Sequence, residues 1–301
     1  MLEEVSEKAK VKEVIENLHS EQDHWTEVIK PESRLLDLRL GELWRYRDLI
    51  MLFVRKDFVS NYKQTILGPL WFILQPLLTT FMFIIIFGRV AKLSTDGMPM
   101  LIFYLSGITI WNYFSTTLNS TASIFLGNAH IFGKVYFPRL TMPLSNVISN
   151  LVRFLIQFSL FLAVWIYYFM KQDNAINPNW LILLTPVLII IMGLLSLGLG
   201  LIFSSLTTKY RDLSLLLNFS VQLLMYATPV IYPLSSVPPQ YKWAILANPI
   251  SSIVETFRYA FLGSGSFSWL YLGYSSIVAL VILIIGIIIF NKIGRSFIDV
   301  I

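Results

Sequence analysis

From Leu70 to Phe87 the chain carries no charged residue. At about 1.5 Å per residue, a helix of that length crosses the hydrocarbon core of a bilayer. Lipid offers no partner to backbone N–H and C=O groups, so the stretch has to satisfy them internally as a helix. What precedes it is different in kind. Between Arg45 and Lys63, Leu49, Leu52, Phe53 and Val59 fall at helical spacing on one face, while Arg47, Asp48, Arg55, Lys56, Asp57, Asn61 and Lys63 occupy the rest. That is the pattern of a helix lying in the membrane surface. Gly68-Pro69 breaks the two apart, because proline lacks a backbone donor and restricts its predecessor. The expected unit is a surface helix, a short elbow and a spanning helix that itself contains Pro76.

Further apolar runs follow at residues 100–126, Leu144–Met170, Trp180–Phe203, Leu213–Tyr232 and Trp269–Phe290. The predicted fold is therefore an all-α polytopic membrane protein with six transmembrane helices. Composition agrees: the chain is 55% hydrophobic and 14% charged, where soluble domains average roughly 25% charged. The second run is unusually polar, with Ser106, Thr109, Asn112, Ser115, Thr116, Thr117, Asn119, Ser120 and Thr121. In lipid such groups are costly unless paired, so this helix should face protein or a watery path. Residues 233–267 are broken by Pro233, Pro238, Pro239 and Pro249 and hold two short apolar pieces, Trp243–Leu246 and Ile250–Leu262. These suit a re-entrant or interfacial pair of short helices.

Six spans put both termini on one side. Of the 23 Lys and Arg residues, those before the first span, with the loops around Lys134, Arg139, Lys209 and Arg211, mark that side as cytoplasmic. The expected organisation is an N-terminal arm over 1–40, an amphipathic helix over 41–68 and a membrane domain over 69–301. A connecting loop occupies about 127–143 and the re-entrant region about 233–267. The arm is polar from its start, without the apolar core of a secretory signal, and reads as a short solvated helix or a disordered segment. A net charge of +5 is too small to point to nucleic acid. The absence of cysteine excludes disulfides and thiolate chemistry, and His19 and His24 lack partners at ligand spacing.

The chain shows no energy source of its own. The nearest approach to a phosphate-binding loop, Gly127 to Gly133-Lys134-Val135, has five residues between its glycines instead of four and lacks Ser or Thr after the lysine. The apolar cores hold no carboxylate of the kind that ion-coupled carriers keep. Hydrolase motifs are missing too. These gaps weigh against a secondary carrier and against a polytopic enzyme acting on lipid-linked sugars, the alternative from another class. The chain reads as a pore-forming subunit driven by a partner.

Four ordered blocks then become specific. They are Arg55-Lys56-Asp57 with Tyr62 to Trp71 and Gln75-Pro76; Gly127 to His130 leading to Lys134-Val-Tyr136-Phe137-Pro138-Arg139 and Pro143; Tyr210-Arg211-Asp212; and Ala227-Thr-Pro229-Val-Ile-Tyr232-Pro233, continuing to Asn248-Pro249 and Glu255-Thr-Phe-Arg258. Together they resemble the permease subunit of ATP-binding-cassette exporters of O-antigen and related polysaccharides, of the teichoic-acid and capsule type. The resemblance covers roughly His24 to the C-terminus. It implies a multi-pass protein of the bacterial cytoplasmic (inner) membrane that forms a homodimer around a channel for a lipid-linked glycan. It also implies a separate nucleotide-binding ATPase subunit that holds the ATP and Mg, with no cofactor in this chain. An exporter of another amphiphile remains the neighbouring alternative.

The resemblance assigns roles by position. Arg55, Lys56, Tyr62, Lys63, Gly68, Pro69 and Trp71 form the gate helix and elbow. Their cations suit anionic lipid headgroups or the diphosphate of a polyprenyl-linked substrate. His130, Lys134, Tyr136, Phe137, Pro138 and Arg139 form the coupling segment, with Tyr136 and Phe137 expected as anchors in a cleft of the ATPase; otherwise they form an interfacial belt. Pro229, Tyr232, Pro249, Glu255 and Arg258 belong to the re-entrant region. Arg153, inside a span, is either functional, or paired within the bundle, or reaching toward the interface. Sugars present C–H faces to aromatic rings and hydroxyls to polar groups, so the second span is expected to line the channel through Tyr104, Trp111 and Phe114, with Arg153 beside them. Tyr113, about 160° round the helix from Trp111, is expected to pack against a neighbouring span.

Overall fold

The computed structural model describes residues 40–60, 63, 65–132, 137–171 and 176–296, and all its regular elements are helical. Helix α1 (Leu40–Arg45) leads directly into α2 (Arg47–Ser60). The stripe that docks α2 is formed by Ile50 and Val54, with Leu49 and Phe53 beside them. Leu52 is 60% exposed and Val59 46% exposed, so the apolar face expected from the sequence splits in two. Part of it meets protein, and the remainder, with Met51, points away.

The elbow follows as expected. Gly68 adopts φ +49°, a left-handed conformation open to glycine, and Pro69 sits at the start of a 3₁₀ turn, Gly68–Leu70. Helix α3 (Trp71–Phe83) accommodates Pro76 and continues into a π-helical turn, Ile84–Val90. Helix α4 (Met100–Ala122) stops at Ser123, and a short kinked α5 (Ile124–Phe132) follows, with Asn128 non-helical. Helix α6 covers Thr141–Met170. A 3₁₀ turn at Trp180–Leu184 runs into α7 (Thr185–Lys209). Helix α8 covers only Leu213–Tyr226, short of the expected Tyr232, because Pro229 cannot continue a helix. Helices α9 (Pro239–Ala247) and α10 (Pro249–Leu262) are the two short pieces, divided at Asn248, whose side chain accepts from the Ile250 N–H and caps α10. Helix α11 is Trp269–Ser296.

Among the described residues, four helical stretches are long and apolar enough to cross a membrane: Gly68–Val90, Thr141–Met170, Trp180–Lys209 and Trp269–Ile293. Helix α4 is 23 residues long, but its hydroxyls and amides dilute its apolar character. Helix α7 is the core element, packed along α11 and α4. The approach to α11 is close enough that a Cβ on Gly198 would lie 2.7 Å from the backbone of Leu283, and one on Gly286 would lie 2.5 Å from the Gly198 carbonyl oxygen. Helix α4 packs between α6 and α7, and it gives the main core more buried residues than any other helix.

Candidate functional site

The polar residues of α4 sort by helical angle. From Trp111 onward, the residues that are not buried are Asn112, Ser115, Thr116, Asn119, Ser120 and Ser123. Their spacing of three, four, seven and eleven residues places them on one stripe. Asn112 donates to Gln157 Oε1 on α6 at 3.2 Å. Lower down, Ser120 is held from α6 twice: Asn146 Nδ2 donates to its carbonyl oxygen at 3.0 Å and Asn150 Nδ2 to its hydroxyl at 2.9 Å.

This stripe runs into a cavity of about 290 Å³, lined on one side by Phe53, Lys56, Asp57 and Ser60 of α2 and on the other by Ser120, Ser123 and Asn146 among others. Helix α2 therefore lies over a polar hollow beside its apolar contacts at Leu49, Ile50, Phe53 and Val54. Its ion pair to the bundle is Asp57 with Arg153, Nη2 to Oδ2 at 2.7 Å. Arg153 Nη1 donates to Asn150 Oδ1 at 3.2 Å, and the guanidinium stands 5.5 Å from the Phe72 ring centroid. Arg153 thus joins α2, α3 and α6.

The aromatic channel lining read from the sequence is not what the chain shows. Tyr104 and Phe114 have no exposed surface and Trp111 only 5%. Tyr104 is set edge-on to Phe83 and Phe103, and Trp111 packs on Phe114. The reason is partition within one helix: large rings gain most from the core, and the small polar side chains are left on the open face. Tyr113 packs where expected, with its hydroxyl against Gly193 of α7 and its ring against Phe154.

Around the elbow, Arg55, Lys56 and Lys63 are exposed, and Trp71 is 45% exposed. Tyr62 lies outside the described residues. In the coupling segment, Lys134 and Tyr136 also lie outside them, and His130 belongs to α5. Phe137 is 5% exposed, packed with Ile124 and Met142 and 5.9 Å from the Phe53 ring of α2. Its ring is thus spent inside this chain and is not presented as a docking anchor. Pro138 and Arg139 are partly exposed beside it.

Of the residues expected in a re-entrant region, Pro229, Glu255 and Arg258 meet in one buried knot. Arg258 has no exposed surface. It donates to the carbonyl oxygens of Pro229 and Val230, and its Nε reaches Ser106 Oγ at 3.4 Å. Glu255 faces it at 3.6 Å, and the Phe103 ring lies 3.9 Å from the guanidinium carbon. Glu255 Oε2 in turn accepts the Ser266 N–H at 3.1 Å. Asn248 Nδ2 donates to Thr228 Oγ1 at 2.8 Å. Tyr232 donates its hydroxyl to the Tyr226 carbonyl at 3.1 Å, and the Pro249 carbonyl accepts from Ser275 at 2.7 Å. Two contributors come from α4, Ser106, one of the polar residues of the second run, and Gly107, which carried no sequence signal. A Cβ on Gly107 would lie 2.7 Å from Arg258 Nη2 and 2.8 Å from the Val230 carbonyl oxygen.

Among the described residues no cluster of His, Asp and Glu could hold a metal. The arrangement offers hydroxyls and amides along one face of α4, with the Asp57–Arg153 ion pair held between α2 and α6.

Known proteins share this organisation in sequence. The chain is 29% identical over 268 residues to the O-antigen export system permease protein RfbA of Klebsiella pneumoniae, covering 89% of this chain and 99% of that protein. A protein of the same name from Myxococcus xanthus is 28% identical over 222 residues, 73% of this chain and 82% of that one. The polysialic acid transport protein KpsM of Escherichia coli is 27% identical over 242 residues, 80% of this chain and 91% of that one. Residues 48–262 match the ABC-2 type transporter family, and with most of the described helices inside that match, the chain belongs to this family of membrane transport proteins.

Proposed function

We propose that this chain is the membrane-spanning subunit of a bacterial inner-membrane exporter of lipid-linked polysaccharide, and that a separate ATPase subunit supplies the energy. Six spans cross the membrane: α3 with its π turn, α4, α6, α7 with its 3₁₀ start, α8 and α11. Both termini lie in the cytoplasm, and α9 and α10 dip into the opposite leaflet. ATP and Mg belong to the partner, which docks near α5 and Arg139.

The observation that carries the reading is the continuity of the polar stripe with the hollow beneath α2, since Ser120 and Ser123 belong to both. A sliding glycan needs many weak, replaceable polar contacts, and hydroxyls and amides down one helix face supply them. The glycan path therefore follows Asn112, Thr116, Asn119 and Ser123, with the aromatic side of α4 acting as its rigid backing. The basic face of α2 at Arg55 and Lys56 receives the diphosphate of the lipid carrier.

A second copy completes the channel. Helix α8 is 14 residues long and exposes Leu215, Phe219 and Tyr226. Its Asn218 and Gln222, one turn apart, are exposed as well. Unpaired amides in lipid are costly, so this face is covered by protein or faces the channel water. The experiment is surface polysaccharide in cells whose only copy of this chain carries Thr116→Leu and Ser123→Leu. Export should fall several-fold while the protein level holds; unchanged export would remove the stripe from the path.

A further inference from the structure

We propose that the Asp57–Arg153 pair is a displaceable latch, in which the carboxylate of the surface helix occupies an anion site that a diphosphate headgroup takes over. The inference rests on the export reading above and assigns a regulatory step to its access site.

Three observations point this way. First, the pair is placed to exchange. Asp57 lines the hollow together with Lys56, and it is the atom-to-atom partner of Arg153 at 2.7 Å. Its side chain is 39% exposed and that of Arg153 20%, so a ligand in the hollow can reach the contact. Second, the guanidinium has spare capacity. Arg153 Nε is buried without a hydrogen-bond partner among the described residues. A guanidinium carries five donors in a fixed fork that matches phosphate oxygens, and a single carboxylate with one amide leaves part of that fork unused. Third, the hollow is polar and roomy. At about 290 Å³ it exceeds what one bound water requires, and Lys56, Ser60, Ser123, Ser145 and Asn146 line it with polar side chains.

The consequence is a coupling between binding and movement. With the hollow unoccupied, Arg153 draws Asp57 inward and α2 rests on α6. A diphosphate brings more negative charge and more acceptor oxygens than one carboxylate, so it takes the fork of Arg153 and is flanked by Lys56. Asp57, now beside an anion, is repelled together with its helix. The latch opens for the molecule that carries the headgroup and stays shut for a neutral lipid, which has nothing to exchange with Asp57.

The test uses the full-length chain in detergent and farnesyl diphosphate as probe, with binding read by calorimetry. Asp57→Asn removes the competing anion and should tighten binding about fivefold, the scale of a partly exposed ion pair. Arg153→Gln should weaken it by about tenfold or more, as expected for loss of a charge-assisted fork. Arg153→Lys keeps the charge and should fall between Arg153→Gln and wild type, which separates loss of the anion site from loss of fold. Inorganic diphosphate should compete, and farnesol should not bind saturably. The opposite signs are diagnostic, because a merely structural salt bridge would impair both variants alike. Unchanged or weaker binding by Asp57→Asn, or wild-type affinity in Arg153→Gln, overturns the exchange, as does equal binding of farnesol. Movement is read independently from spin labels at Leu52→Cys and Leu155→Cys, both exposed positions in a chain without native cysteine. Farnesyl diphosphate and Asp57→Asn should each lengthen that distance; an unmoved distance overturns the latch. Glycan export in cells scores the export reading separately, so a chain that exports but fails these tests loses only the latch.

Discussion

Arg153 and Arg258 both lie on helices of the bundle, and they are held in opposite ways. Arg258 is completely buried and satisfied on nearly every side, by two carbonyls, a hydroxyl, a carboxylate and an aromatic face. Arg153 is tied to one amide and to one carboxylate, that of Asp57, which lines the hollow, and it has a donor left over. A cation wrapped by its own chain fixes that chain in one arrangement. A cation left partly unsatisfied next to a polar space can change partners. The first therefore belongs to the scaffold around α10 and the second to the moving part around α2.

The largest expected effect breaks the scaffold. Arg258→Ala leaves Glu255 buried without its counter-charge, and losing one partner of a buried pair costs about 3–5 kcal/mol. Thermal unfolding in detergent should show a large drop, or the protein should fail to accumulate. Next comes Tyr104→Ala, which empties a site in the aromatic core at a cost of about 3 kcal/mol. If Tyr104 instead lined a channel, its loss would lower export without altering the melting temperature. Close backbone approach comes third. Gly198→Ala pushes α7 off α11 and should cost about 1–3 kcal/mol. Gly127→Ala, with nothing within 4 Å of its Cβ, should stay within about 0.5 kcal/mol. Smallest is the latch: Arg153→Gln should destabilise by about 1 kcal/mol or less, since the pair is partly solvated, and its contribution should shrink as salt rises. A stability loss at Arg153 as large as that at Arg258 would erase the contrast.

Much of this was legible along the chain. The apolar runs located the long helices, Gly68-Pro69 located the elbow, and the proline-broken stretch after Tyr232 gave two short helices. Even the early end of α8 was written in Pro229. What sequence pattern could not rank was the two sides of α4. Aromatic rings and hydroxyls both suit a sugar, yet only one set can be buried, and packing decided for the rings. Phe137 was misjudged for the same reason: a loop phenylalanine beside cations looks like an anchor for a partner until Phe53 of α2 is found against it. Long-range polar partners left no local trace. Asp57 is 96 residues from Arg153 and Ser106 is 152 from Arg258, and nothing in the spacing announces either contact.

Export is tested most directly by reconstitution. The full chain and its nucleotide-binding subunit would be placed together in sealed proteoliposomes with a lipid-linked glycan in the outer leaflet. On adding ATP, the glycan should become protected from an external glycosidase, and Thr116→Leu with Ser123→Leu should slow that protection several-fold while the complex remains intact. Vesicles holding this chain alone should neither hydrolyse ATP nor protect the glycan. Saturable ATP hydrolysis by the isolated chain, or no ATP-dependent protection in the intact complex, would contradict the account.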